Sequence, residues 1–369
     1  MSADESGSKR ESDVTRPPVT PSLNCPVPGR ASVIRMSDGG GGRHMLDLLR
    51  DTVLPALGMA PAERTPATAL HDSAILPFSG GDLAFTTDSY VVSPMEFPGS
   101  DIGSLAVFGT VNDLAMAGAV PIGLSCSLII EEGFPREHLG RLVGAMGRAA
   151  ATVGVAFVTG DTKVVQRGHG DGLYINTAGV GRRAPGVHVH PCRISEGDVI
   201  LVSGDIGRHG IAVMAARASL GFETTIVSDA APLHGVVQDM LETGIDVHCL
   251  RDLTRGGLGA ALVELAEASG HGLVIEEAAV PVHPEVAAAC EILGLDPMFV
   301  ANEGRMVVMV PAQDAPRALA VMARHDVSRG AKTIGSVGSS GQRGVAVATD
   351  FGTKRRLDLP AGEQLPRIC

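Results

Sequence analysis

The apolar positions along the chain switch between a two-residue and a three-to-four-residue period, and each switch predicts a change of element. LAFTTDSYVV (83–92) is rich in β-formers and predicts a strand pair or one kinked strand. DIGSLAVFGTVNDLAMAG (101–118) predicts an amphipathic helix, with Asp101 as N-cap and Gly118 as stop. PIGLSCSLII (121–130) predicts a strand, and FPREHLGRLVGAMGRAAATVG (134–154) a helix. VAFVTGDT (155–162) and LYINTAGVG (173–181) predict strands. A second series begins near residue 185. DVILVSGDIG (198–207) reads as a buried strand and turn, HGIAVMAARASLG (209–221) and LHGVVQDMLETG (233–244) as helices. VHCLRDLT (247–254) reads as strand and loop, and GGLGAALVELAEASG (256–270) as a helix closed by Gly270. EVAAACEILG (285–294) and APRALAVMARH (315–325) predict helices around a strand in RMVVMVP (305–311).

Strands and helices mix in both series, so the expected class is α+β (α/β mixed) in two domains, 32–184 and 185–350. Residues 1–31 are charged, polar and proline-containing, and predict a disordered extension. Residues 351–369 predict a flexible C-terminal tail that ends on Cys369.

Composition narrows the partners. A formal net charge of -11 with 3% aromatic residues argues against nucleic acid. No run of about 18 apolar residues occurs, so no membrane helix is expected. The first thirty residues lack an apolar core of the secretory type, which leaves a cytoplasmic location as the expectation. The six cysteines form no CxxC pair, and most read as small buried hydrophobes. Cys369 stands apart by position, because a thiol at the chain end adds nothing to a core.

Gly39, Gly40, Gly41 and Gly42 precede a predicted helix. Glycines let backbone N–H groups approach an anion, and a helix start adds a favourable partial charge; a plain loop is the rival reading. Neither GxxxxGK[ST] nor a post-strand GxGxxG is present. Asp72, Asp88, Asp113, Asp161 and Asp252 lie at element ends, in or beside apolar runs. An unpaired carboxylate is costly there, and Mg²⁺ bridged to phosphate is one partner that would remove the cost. Capping and turn formation are the alternative for each. RDLTRGGLG (251–259) joins an acid, two arginines and a glycine pair at a strand-to-helix transition, which suits a metal–phosphate site or a surface loop. Glu303 sits at a strand entrance, and Lys163 follows Asp161 by two residues. Either could move a proton if burial shifts its pKa.

FTTDSYVVSPMEFPGSDIGSLAVFGTVNDLAMAGAVPIGLS (85–125), VTGDTKVV (158–165), RDLTRGGL (251–258), NEG (302–304) and the terminal PRIC (366–369) resemble the HypE family of hydrogenase maturation factors. These are carbamoyl dehydratases of the aminoimidazole ribonucleotide synthetase and selenophosphate synthetase superfamily. The likeness runs from about residue 33 to the end. It implies a two-domain aminoimidazole-ribonucleotide-synthetase-like fold, a homodimer, and ATP in a cleft near the interface. It implies ATP-dependent dehydration of an S-carbamoyl group on Cys369 to a thiocyanate, with ADP and phosphate formed. The resemblance assigns Gly39, Gly40, Gly41, Gly42, Asp88, Asp113, Asp161 and Thr162 to the nucleotide. It assigns Asp72, Asp88, Asp113 and Asp252 to Mg²⁺, and Cys369, Lys163 and Glu303 to the chemistry. It implies a HypF-type carbamoyltransferase and a HypC–HypD-type complex as partners. Asp38 departs from the family, which usually has His before the glycine run, and the N-terminal extension is a second departure. Rival readings are a selenophosphate synthetase or thiamine-monophosphate kinase of the same superfamily, or a non-catalytic ATP-binding scaffold.

Overall fold

The computed structural model describes residues 34, 38, 42–56, 72–79, 81–217, 225–341, 343–349, 351–361, 365 and 367–369. The chain divides into two units, Met1–Ile34 and Arg35–Cys369, and the second carries everything that follows. Gly39, Gly40 and Gly41 lie outside the described residues.

A helical run opens the body: α1 (Arg43–Leu48), a π-helical turn, and α2 (Leu54–Ala56). A five-stranded sheet follows. Its strands are β1 (Ala74–Phe78), β2 (Gly81–Tyr90), β5 (Ala119–Glu131), β6 (Phe157–Val165) and β7 (Leu173–Arg183), in the order β1-β2-β7-β5-β6. LAFTTDSYVV resolves into one strand that pairs with β7 from Asp82↔Arg183 to Tyr90↔Ile175. A two-residue ribbon, β3 (Glu96–Phe97) with β4 (Ser100–Asp101), leads into α3 (Ile102–Met116). Asp101 caps α3 as expected, its Oδ1 accepting from Ser104 N at 2.9 Å.

The expected amphipathic character of α3 is corrected by the structure. The helix is buried around its circumference, including Thr110 and Asn112. One side packs on β2, β7 and α4 (Arg136–Val153), the other on elements of the second half. A helix with no solvent face needs no polar stripe. Its few polar side chains are satisfied internally instead. Thr110 Oγ1 lies 2.5 Å from Thr177 Oγ1, and Asn112 Oδ1 accepts from Leu233 N at 2.7 Å.

The second half is built on a seven-stranded sheet. Its strands are β8 (Val199–Val202), β9 (Cys249–Asp252), β10 (His271–Glu276), β11 (Met306–Val310), β12 (Lys332–Ser340), β13 (Gly344–Ala348) and β14 (Lys354–Leu357). The order is β14-β13-β10-β12-β8-β11-β9. Helices α5 (Arg208–Ala215), α6 (His234–Glu242), α7 (Gly257–Ser269), α8 (Pro284–Leu293) and α9 (Ala315–Met322) complete it. β11 is buried at all five positions, which is why MVVMV is an unbroken apolar run. The segment expected to begin the tail is not all tail: Lys354–Leu357 pairs antiparallel with β13 at the sheet edge.

The five-stranded sheet has two unlike faces. One carries Ala84, Tyr90, Leu124, Leu173 and Ile175 against α3 and α4. The opposite face presents Leu76, Phe78, Phe85 and Ile129 to solvent, Phe78 at 64% exposure. None of the described helices is long and apolar enough to cross a membrane.

Candidate active site

The acids singled out in the sequence separate into two groups. Asp72 precedes β1, Asp88 is on β2, Asp113 is on α3, Asp252 ends β9, and Glu303 precedes β11. Alternation along β2 turns Asp88 to the same face as Ala84, Thr86 and Tyr90. Thr86 Oγ1 links two of these segments, 3.1 Å from Asp72 O and 2.7 Å from Asp113 Oδ2. Ser73 Oγ donates to Asp113 O at 2.9 Å. The start of β1, the strand β2 and the end of α3 are thereby tied together.

These carboxyls raise one another. Burial pushes Asp113 well above the usual carboxylate range, and Asp252, Asp88 and Asp72 add to it. Asp252 is pushed up to about 8, first by burial and then by Asp72. Glu303 is driven well up by burial, then by Asp252, Asp88 and Asp229. Asp72 is raised by burial although Arg251 opposes the shift. Arg251 is the cation inside the group, its Nη1 3.0 Å from Asp72 Oδ1 and its Nη2 2.6 Å from Glu264 Oε2. Asp72 Oδ2 and Glu303 Oε1 are buried with no hydrogen-bond partner. Buried carboxylate oxygens without donors are costly, and Asp252 and Glu303 remain raised although Arg255 opposes the shift, so the cluster demands more positive charge than Arg251 and Arg255 supply.

A divalent cation is the group implied for these residues. Among the described residues, no three or more carboxylate, imidazole or thiol groups are gathered closely enough to ligate one ion. The all-oxygen donor set, the unpartnered oxygens and the mutual repulsion nevertheless suit a hard cation such as Mg²⁺. Mg²⁺ keeps several waters and takes phosphate oxygens, so it does not require a ready-made protein cage. In that sense the residues fit the ion.

The loop of Glu303 is held with unusual completeness. Asn302 Oδ1 accepts from Gly207 N at 2.7 Å, and Asn302 Nδ2 donates to Leu253 O at 3.0 Å. Asp229 accepts from Glu303 N at 3.4 Å and Gly304 N at 3.2 Å. A Cβ on Gly304 would lie 2.0 Å from Asp229 O, so this position admits no other residue. Asn112 Nδ2 donates to Ala231 O at 3.1 Å, fastening α3 to the same region. The glycines of RDLTRGGLG serve backbone approach. Gly257 has φ +60°, and a Cβ there would stand 2.5 Å from Val300 O.

Asp161, Thr162 and Lys163 are elsewhere, on the edge strand β6. The register Ser127↔Asp161 and Ile129↔Lys163 puts these two on the open apolar face, with Thr162 on the other. Lys163 Nζ bonds Asp161 Oδ1 at 2.8 Å. That bond is the main reason the Asp161 carboxyl is lowered. Both side chains are well exposed, at 70% and 60%. The burial expected to shift Lys163 is therefore absent within one chain. Gly42 is buried and precedes α1 as its extended N-cap, with no ligand-like feature of its own.

Cys369 is docked. Val91 N donates to Cys369 O at 3.0 Å, and Ser93 N to Arg367 O at 3.2 Å. Arg367 Nε returns a bond to Val91 O at 3.0 Å and its guanidinium pairs with Asp171. The chain end thus lies along the segment that leaves β2, three residues beyond Asp88. Among the described residues Arg367 is the one non-glycine with positive φ, 53°. That conformation costs on the order of 1 kcal/mol and persists because the surrounding bonds hold it.

Comparison with known proteins gives the family. The family described as "AIR synthase related protein, N-terminal domain" matches residues 70–183, and its C-terminal counterpart matches residues 195–348. The carbamoyl dehydratase HypE of Azotobacter vinelandii is 47% identical over 340 residues, 92% of this chain and 98% of that protein. The chain belongs to the HypE family. It is therefore a carbamoyl dehydratase of hydrogenase maturation, built on two AIR-synthase-like domains. A crystal structure of a HypE–HypF complex superposes with a TM-score of 0.77 at 44% identity, covering 84% of this chain and 100% of that one. A HypE crystal structure in complex with ATP gives a TM-score of 0.75 at 44% identity, covering 90% of this chain and 99% of that one.

Sequence reasoning missed Asp229, His209 and Arg217 as parts of this region. Each lies in a stretch whose pattern reads as helix or loop, and nothing local marks them.

Proposed function

We propose that this HypE-family chain uses ATP to dehydrate an S-carbamoyl group carried on Cys369, leaving a thiocyanate, ADP and phosphate. The observation that carries the reading is the docked C-terminus, which brings the last residue to the end of β2, the strand that bears Asp88. A related structure binds ATP, and the deficit of positive charge among Asp72, Asp113, Asp252 and Glu303 supports a magnesium-bound triphosphate here.

The carbamoyl oxygen is a poor leaving group. In the proposed reaction it attacks the γ-phosphorus, the bond to the β-phosphate oxygen breaks, and ADP leaves. One proton then departs from nitrogen, giving an O-phosphorylated imidate whose nitrogen is neutral. Loss of the second N–H proton forms the C≡N bond as the C–O bond breaks, and phosphate carries the oxygen away. Bound Mg²⁺ would screen charge on the transferred phosphoryl group. Asp72, Asp88, Asp113 and Asp252 are the residues that would hold it. Glu303 is the stronger candidate for the base, because it is buried, has an unpartnered oxygen and sits on a loop fixed by Asp229. Its raised pKa gives it proton affinity that an exposed carboxylate lacks.

Lys163, Asp161 and Thr162 join the site only from a surface that covers β6. The uncovered apolar face with Leu76, Phe78 and Phe85 supports a homodimer through this sheet. A pair of chains would bury the Lys163–Asp161 pair and bring it under the influence of a second subunit. A HypF-type carbamoyltransferase is the proposed donor of the carbamoyl group, in keeping with the related complex. A HypC–HypD-type complex is the proposed acceptor of the cyanide, and the cytoplasm the proposed setting.

Peptide mass spectrometry tests the assignment. After treatment with the carbamoyltransferase, carbamoyl phosphate and ATP, the C-terminal peptide should carry the carbamoyl mass less one water. An adduct on any of the other five cysteines instead would reject it.

A further inference from the structure

The docked end of the chain is gripped from two sides. On one side Val91 and Ser93 pair with it as an added strand does, through main-chain bonds. Leu365 and Ile368 sink into the apolar cluster of Ile211, Ala212, Val286 and Val300, leaving Ile368 2% exposed. A Cβ on Gly210 would stand 2.4 Å from Val300 Cγ1 and 3.1 Å from Leu365 Cδ1, so α5 packs closely on both.

On the other side stand two side chains of the second half. His209 Nε2 lies 2.7 Å from Ile368 O. A carbonyl only accepts, so Nε2 carries the proton. Nδ1 then accepts from the Ser228 hydroxyl at 2.9 Å. Phe97 meets the ring edge-on, with centroids 5.3 Å apart. The ring is fully buried, and burial holds its pKa below the usual histidine value, in keeping with that neutral tautomer. Arg217 Nη2 donates to Arg367 O at 2.9 Å and its Nε to Ser93 O at 2.9 Å, tying the tail to its own docking strand. The His209 backbone N donates to Asp229 Oδ1 at 3.1 Å. The same carboxylate holds Glu303 N and Gly304 N.

We propose that His209, oriented by Ser228 and Phe97, forms with Arg217 a latch that recognises the C-terminal segment through the Ile368 and Arg367 carbonyls. The latch sets how long Cys369 stays docked. His209 is a positioning residue. It reads main chain, not the sulfur, so it holds the tail whether the thiol is free, carbamoylated or converted. Asp229 couples the latch to the loop of Glu303. The consequence for turnover rests on the reading of Cys369 as the carrier; the latch itself does not.

The test measures alkylation of Cys369 in the full chain by mass spectrometry, with buried Cys249 and Cys290 as internal references. His209→Leu removes the donor and should speed Cys369 alkylation about fivefold, the equivalent of one net hydrogen bond. His209→Gln restores a donor and should return the rate toward the parent. Arg217→Met removes two bonds from the rim, should raise the rate similarly, and serves if His209→Leu does not fold. With carbamoylated protein, both removal variants should lower the single-turnover rate of thiocyanate formation, while loading by the carbamoyltransferase is unchanged or faster. Unchanged Cys369 alkylation in a folded variant overturns the latch. So does a parallel rise at Cys249 and Cys290, which would mean general loosening. If the parent protein forms no thiocyanate, the functional reading fails while the alkylation result stands on its own.

Discussion

Asp252 and Asp161 are both aspartates beside apolar strand residues, and the molecule treats them in opposite ways. Asp252 is buried among other carboxyls, and burial pushes its pKa to about 8. Asp161 is open to solvent and its carboxyl is lowered by a bond to Lys163. The first group holds more carboxyls than its arginines offset, with unpartnered oxygens at Asp72 and Glu303. The second is already neutralised. An acid cluster that a single chain leaves short of charge implies a ligand; a satisfied surface pair implies only a surface, until another subunit covers it.

Glu303→Gln is the sharpest way to break that contrast. If Glu303 takes a proton from nitrogen, thiocyanate formation in single turnover should fall roughly 10²–10⁴-fold with ATP binding retained. Activity within a fewfold of the parent would move the base elsewhere. Arg251→Met comes next. It strands Asp72 and Glu264, and breaking such a buried pair costs about 3–5 kcal/mol. Denaturant unfolding should record that loss, and saturating Mg²⁺ with ATP should recover part of it. No recovery would separate the cluster from the nucleotide.

A smaller effect concerns pH. In the metal-free protein the Asp252 carboxyl is raised to about 8, against about 3.9 in an unfolded chain. Its contribution to stability is complete below the unfolded value and is lost as pH rises through the folded one. Asp252→Asn should therefore raise the melting temperature of the metal-free protein at pH 8 by about 4 °C or more, and flatten its decline between about pH 4 and pH 8. An unchanged profile would show that the carboxyl is ionised at no cost. Lys163→Met should do least, leaving the isolated chain's melting temperature within about 2 °C. A larger drop would mean that the edge pair is structural in a way its exposure denies.

Much of the fold was legible because its elements carry strong local signals. Asp101 and Gly270 mark helix ends, and MVVMV marks a central strand. β10, β12, β13 and β14 were not legible. HGLVIE is short, KTIGSVGSS is rich in glycine and serine, and KRRL is charged, so pairing partners rather than local pattern make them strands. The full burial of α3 was missed for a related reason, since Thr110 and Asn112 look solvent-facing until partners from both halves satisfy them. Within the site, the acids stood out because a carboxylate beside valines and leucines is costly. Arg251 stood out beside them in RDLTRGGLG. His209 did not, because a histidine at a helix start carries no sign that Ile368, 159 residues later, will return to it.

The path of a single oxygen atom tests the account most directly. The carbamoyl oxygen of the loaded Cys369 is labelled with a heavy isotope, and one turnover is run with ATP and Mg²⁺. Phosphoryl transfer to that oxygen predicts the label in inorganic phosphate, one atom for each thiocyanate formed. Label released into water, or thiocyanate formed without ADP, would contradict it.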